Sequence, residues 1–491
     1  MYSHSLVIIY HYSEKINSFL HFIPEKDKKF FSVYTNTDKK TKGIFKAMDS
    51  KYQSDKTSIC KRVLYYSLFA TVTLLTTSAV NLSDTYFVSV LGSSATAAVG
   101  VTFAVQFFIQ AIGFTLGMGG GSLVARARGA GEEEDCRRYA SLSVLLSLLI
   151  GGLIAFAGLE FLDPLLRILG ATQSIYPFAK EYLRLLLLSA PFICVSLSLS
   201  QLLRAAGNAA LSMIGFCGGS ILNLLLVPLF LFGFELGIAG AGYALLVGYV
   251  VSSLLLFCFT FSHHSKIRLT PIIGKSFLQR CSSILITGLP SFCRHGFSGL
   301  ATLLINNTAH AYGDSAIAAI AVVSKISLLS LSFCTGIGQG MIPVVGYHFG
   351  AKEHEKVRSA FRFSLILSSI IMFILSVVIF MLAPQLISLF RKEAEIVRIG
   401  TVALRMQSLV FVLHGTITTA TMLLQAIGKS APSTVLACAR QGIFFVPILF
   451  LIPQYFRFVQ PIADILTFLL TLYLLNRYKK ITFPQRKKSF S

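Results

Sequence analysis

The sequence predicts an all-α polytopic membrane protein. About twelve transmembrane helices form two six-helix lobes related by a pseudo-two-fold axis along the membrane normal. Three observations carry this. The 491 residues are 54% hydrophobic and only 13% charged, against roughly 25% charged in soluble domains. Apolar runs such as 141–159, 183–203, 283–304 and 363–382 recur, each near the ~20 residues that cross a bilayer as a helix. The second half of the chain also repeats the first at a constant offset.

The spans follow in order. The first six fall at about 63–90, 95–123, 139–160, 182–203, 211–233 and 237–261. The second six fall at about 283–311, 316–347, 359–383, 402–427, 432–452 and 459–476. The chain thus divides into a basic tail, 1–62, a first lobe, 63–261, a basic linker, 262–282, a second lobe, 283–476, and a basic tail, 477–491. Residues 1–62 read as a poorly ordered cytosolic extension without a signal peptide, or as a mis-assigned start with the true one nearer Met48.

The repeat is read from three pairs of segments. "LGSSATAAVGV" resembles "YGDSAIAAIAV", "GMGGGSLVARARGAGEEEDCR" resembles "GQGMIPVVGYHFGAKEHEKVR", and "LLRAAGNAALS" resembles "LLQAIGKSAPS". Their starts are 91 and 312, 117 and 338, and 202 and 423, so each pair is 221 residues apart. That offset contains six spans, an even number, so both halves begin on the same side. Gly129 should therefore correspond to Gly350, and Gly207 to Gly428. Such a repeat belongs to transporters; a sensor or scaffold would leave it unexplained.

The net charge of +22 gathers in tails and loops. This is the positive-inside pattern rather than a nucleic-acid surface, and it places both termini in the cytoplasm of an inner-membrane protein. The nine cysteines are scattered without zinc or redox spacing. No His-Glu-x-x-His or paired-Asp cluster supports a membrane enzyme. The "GMGGGS" and "GIGQG" clusters follow apolar helix and lack a Gly-Lys-Ser/Thr ending, so they read as packing sites, not phosphate loops. No cofactor or metal is expected, and the partners are membrane lipid and a small amphipathic substrate, with the chain a monomer.

A few polar residues in the spans could carry function. Asp84, in "NLSDTYFVSVLG", is the only acid between Val63 and Gly121. An intramembrane acid costs about 2.5–3.5 kcal/mol on insertion scales and marks an ion or proton path; a helix-end carboxylate at the interface is the plainer alternative. Asn223 could bond Asp84, ligate a cation, or simply hold two helices together. In the second lobe Arg294, His295, His310, Lys325, Arg405, His414, Arg440 and Asp464 lie in or near spans, and many such residues snorkel. Arg440 and Asp464 could pair across the last two spans.

These segments resemble the multidrug and toxic compound extrusion (MATE) family. "NLSDTYFVSVLGSSATAAVGV" looks like its first-span motif, and "GLPSFCRHGFSGLATLLINNTAHAYGDSAIAAIAVVSKI" like its seventh and eighth spans. "GQGMIPVVGYHFGAKEHEKVR", "ARQGIFFVPILFLIPQYF" and "QPIAD" look like later ones, so the resemblance covers about 60–478. It implies a two-lobe antiporter that exports bulky, often cationic or amphipathic compounds against Na⁺ or H⁺. It also implies a cation-coupling site at Asp84 and Asn223, and a second-lobe polar set of Arg294, His295, Gln441 and Asp464. Two family oxygen donors are replaced here, by Val227 and Leu245. Na⁺ is assumed to need a shell of several oxygens, as hard cations do, whereas a proton needs one carboxylate. The expectation is therefore H⁺ rather than Na⁺. A lipid-linked saccharide flippase of the same superfamily is the rival in transport, disfavoured because few arginines fall deep in the spans.

Overall fold

The computed structural model describes residues 58–261, 269, 276–310, 314–390, 393–452, 454 and 456–482. Most of the two predicted tails and most of the linker lie outside the described residues; of the tails, 59–62 and 477–482 are drawn into the first and last helices. Among those described there is helix and no strand. The helices are α1 (Ile59–Ser89), α2 (Ser93–Ala130), α3 (Glu133–Glu160), α4 (Tyr176–Ala205), α5 (Ala209–Gly233) and α6 (Gly237–Phe261). A second set follows: α7 (Phe277–His310), α8 (Asp314–Gly350), α9 (His354–Phe390), α10 (Ala394–Leu409 with Phe411–Ala426), α11 (Ser430–Leu451) and α12 (Phe456–Thr482). A short helix, Leu162–Ile168, joins α3 to α4.

Each predicted span lies within one of these helices to within a residue or so, and most helices run on past the apolar stretch. The 38 residues of α2 rise about 57 Å, well beyond a ~30 Å hydrocarbon layer. By length and composition ten helices qualify as spans by themselves, and the two parts of α10, bent by 50°, make an eleventh. We count α7 as the twelfth. Its 34 residues are long enough, but Pro290, Arg294 and His295 dilute its apolar character. The bend in α10 has a local cause. Ser376 Oγ of α9 donates to the Ser408 carbonyl at 2.6 Å, taking up an acceptor at the break in the helical ladder.

The halves meet through glycines. A Cβ on Gly129 would strike the Tyr347 backbone, and one on Gly350 would strike the Arg126 backbone. Likewise Gly119 lies against Gly288, and Gly340 against Ser67. Adding 221 to one member of a pair and subtracting it from the other yields the companion pair. Exchange of identical contacts across an interface is what a two-fold axis produces. α2 and α8 both end at this cluster, so the axis runs along the bundle. The repeat also holds inside the halves: Ser212 Oγ donates to the Ser200 carbonyl and Ser433 Oγ to the Thr421 carbonyl, both at 2.7 Å. Gly131 and Lys352, 221 apart, both take positive φ, of 80° and 61°, where α2 and α8 turn into the next helix. Lys352 accepts there a conformation that normally favours glycine.

The turns that carry 126–138 and 350–358 lie at one end of the bundle, termed here the basic end. The halves are tied there. Arg280 at the start of α7 pairs with Asp135 of α3 at 2.7 Å. Gln201 and Arg204 of α4 both donate to Gln339 Oε1 of α8, at 3.1 and 2.9 Å.

Candidate functional site

Asp84 sits in the last turns of α1, 4% exposed, and its Oδ1 has no hydrogen-bond partner. Tyr182 of α4 and Tyr249 of α6 lie within range of its charge. Asn223 of α5 is 3% exposed, and its Oδ1 is also without a partner. Its position follows from small residues. Gly248 of α6 packs so closely that a Cβ there would lie 2.8 Å from Asn223 Cβ, and Gly219, one turn earlier on α5, abuts the Gly248 carbonyl. Asn223, Gln106, Thr77, Ser220 and Tyr249 line a small cavity between α1, α2, α5 and α6, with room for roughly one or two waters.

The cysteine Sγ of Cys217 on α5 donates to Thr76 Oγ1 on α1 at 3.5 Å. Both helices rise from the basic end, so Asp84 and Asn223 stand at similar heights about two turns further on. No hydrogen bond joins them directly among the described residues, and Asp84 is not in the cavity lining; Tyr249 belongs to the surroundings of both. Leu245 lines the cavity and Val227 is fully buried. Two positions where the resemblance led us to look for oxygen donors therefore present hydrocarbon.

The second half holds a different arrangement. Asp464 of α12 is 0% exposed and accepts from three groups: Nε2 of His414 on α10 at 2.7 Å, Nε of Arg440 on α11 at 2.8 Å, and Nε2 of Gln460 at 2.9 Å. Arg440 stands on a π turn, Ala439–Ile443, whose extra residue swings side chains out of the regular helical register. Gln441 follows it on that turn and is half-buried. The pairing of Arg440 with Asp464 was open in the sequence; His414 as the third member was not foreseen, because 50 residues separate it from Asp464.

Arg294 and His295 lie elsewhere, where α7 faces α2. Arg294 Nη2 donates to Met118 Sδ at 3.4 Å and to Ser291 Oγ at 3.5 Å, while its Nε and Nη1 are buried without partners. His295 stacks on Phe114 of α2 with ring centroids 4.3 Å apart and 8° between planes. Its Nε2 has no partner either. Tyr182, Tyr249 and Gln106 were not singled out in the sequence. Only Tyr249 carried a usable signal, since it follows Leu245 by four residues on one helix face.

Twelve spans in two exchanged halves, with buried polar groups inside each, define a multi-pass membrane transporter rather than an enzyme. The chain belongs to the MatE family, whose model matches it at 70–229 and 297–451. It is 26% identical over 404 residues to the multidrug export protein MepA of Staphylococcus saprophyticus, covering 81% of this chain and 88% of that one. The MepA of Staphylococcus aureus is 25% identical over 406 residues, covering 82% and 90%. Among solved structures, an outward-facing multidrug resistance MATE transporter of the MOP superfamily superposes with TM-score 0.81 at 26% identity, covering 88% of this chain and 98% of that one. A MOP superfamily transporter from Pyrococcus furiosus, described as having a binding pocket of reversed polarity, matches with the same score, identity and coverage.

Proposed function

We propose that this chain is a multidrug efflux antiporter of the cell membrane, exporting bulky amphipathic compounds against protons, with Asp84 as the proton carrier. The MepA relatives, named for multidrug export, support the export reading. One observation carries the coupling reading. Of the two acids buried in the bundle, Asp464 has a permanent cationic partner in Arg440, whereas no cation pairs with Asp84 among the described residues. A buried, unpaired carboxylate is costly until something neutralises it. A group of that kind alternates between loaded and empty forms. Asp464, held by three donors, does not need to. Leu245 beside Asn223 supplies no oxygen for a metal shell, which favours H⁺ over Na⁺.

The contacts at the basic end seal one side of the bundle. Transport would reverse this, opening the basic end while the opposite ends of the lobes close. The positive charge at this end supports a cytoplasmic side for it and for both termini. The chain acts as a monomer in this scheme, because each lobe already has its symmetric partner. The test is dye efflux from liposomes containing the purified protein, under a proton gradient and separately under a sodium gradient. A proton gradient should drive uphill export, and Asp84→Asn should abolish it while folded protein remains in the membrane. Export that follows sodium alone refutes the assignment.

A further inference from the structure

Arg294 is a guanidinium left without an anion. Its two contacts, to Met118 Sδ and Ser291 Oγ, are long and neutral, and its Nε and Nη1 reach nothing. No carboxylate pairs with it among the described residues. Ser291 is itself committed, accepting from Gln425 Nε2 at 3.0 Å. Arg294 as a whole is half-buried, yet two of its nitrogens are closed off from water, and a charge so placed is tolerated when it is paired or hydrogen-bonded throughout. Here neither holds, and the group lies where α7 of one half faces α2 of the other. That seam is the surface which parts when the halves rock.

The neighbourhood has a consistent chemistry. His295, next in sequence, presents an unpartnered Nε2 and lies flat on Phe114. Two unsatisfied NH groups of a planar fork, an imidazole and an aromatic wall together suit an anion attached to an apolar body. Resting on the efflux reading above, we propose that Arg294 and His295 form the anion-binding end of the substrate site. The exported compound then carries a carboxylate or phosphate group on an aromatic or aliphatic frame. This narrows the expected substrate class from cationic or merely amphipathic compounds to anionic and zwitterionic ones.

The experiment uses a matched pair of fluorophores, rhodamine 110 with its free carboxylate and rhodamine 123, its methyl ester. Binding to the full-length protein in phosphatidylcholine nanodiscs is read by dye anisotropy. The acid should bind about tenfold more tightly than the ester, the worth of one charge-assisted contact. Arg294→Gln should erase that preference and Arg294→Lys should keep part of it; the rescue separates a role in recognition from a role in folding. Equal binding of acid and ester to the parent, binding of neither dye, or a preference that survives Arg294→Gln overturns the proposal. With each dye's binding corrected for its binding to empty discs of the same lipid, a preference present in phosphatidylcholine but lost in phosphatidylglycerol discs means that a lipid phosphate fills the site, and overturns the assignment to cargo. Proton-driven efflux of the ester alone would leave the antiport reading standing while this one fails, so the two are told apart.

Discussion

Replacing Asp464 with asparagine tests whether the second half is held by its buried charges. The carboxylate is 0% exposed and accepts from Arg440, His414 and Gln460 at 2.7–2.9 Å. Asparagine keeps the shape but removes the charge, leaving the Arg440 guanidinium, 16% exposed, uncompensated among apolar helices. Removing one member of a buried pair costs about 3–5 kcal/mol. The exposed pair of Arg137 and Glu133, with side chains 37% and 83% exposed, sets the contrast at roughly 0.2–1 kcal/mol. With an unfolding entropy of about 2 cal/mol/K per residue over roughly 400 folded residues, 3–5 kcal/mol lowers the melting temperature by about 4–6 °C. The assay is thermal unfolding of purified protein followed by a thiol-reactive dye, since Cys194 and Cys334 are buried until the fold opens. Arg440→Gln added to Asp464→Asn should recover part of the loss, because no bare charge then remains. A single mutant within 1 °C of the parent, or a double mutant that loses the sum of both, refutes the reasoning.

Two further outcomes follow from the packing and the loops. Gly288→Leu places a side chain against the Thr115 backbone where α7 meets α2; transport should fall at least tenfold while membrane insertion, read by blotting of the membrane fraction, stays unchanged. Asp163, in the first turn of the short helix Leu162–Ile168, is held below the usual carboxylate range by Lys180 and then by the Tyr176 hydroxyl. A depressed carboxylate contributes stability above its unfolded value, and loses it as pH falls through the folded one. Asp163→Asn should therefore melt slightly below the parent at pH 7, with the gap narrowing as pH falls below the usual carboxylate range, in paired thermal scans; a gap that widens in acid contradicts this.

Much of the architecture was readable because the bilayer is a simple solvent. Apolar runs long enough to cross it and an offset of 221 residues determine helices and two-fold exchange without reference to detail. The matching contacts of Gly129 with Tyr347 and of Gly350 with Arg126 express that offset in space. Asp84 could be picked out because a lone acid in hydrocarbon is costly whatever surrounds it. What surrounds it could not be read. The sequence marks Asp84 and Asp464 alike as intramembrane acids, and only the tertiary structure makes one paired and the other bare. Partners such as His414 and Tyr249 come from helices distant in the chain, and no local periodicity encodes which faces meet. The same holds for Arg294. Its charge is evident from the sequence, but the lack of a counter-ion among the described residues is a property of the fold, since an absent contact can be seen only once the neighbours have been placed.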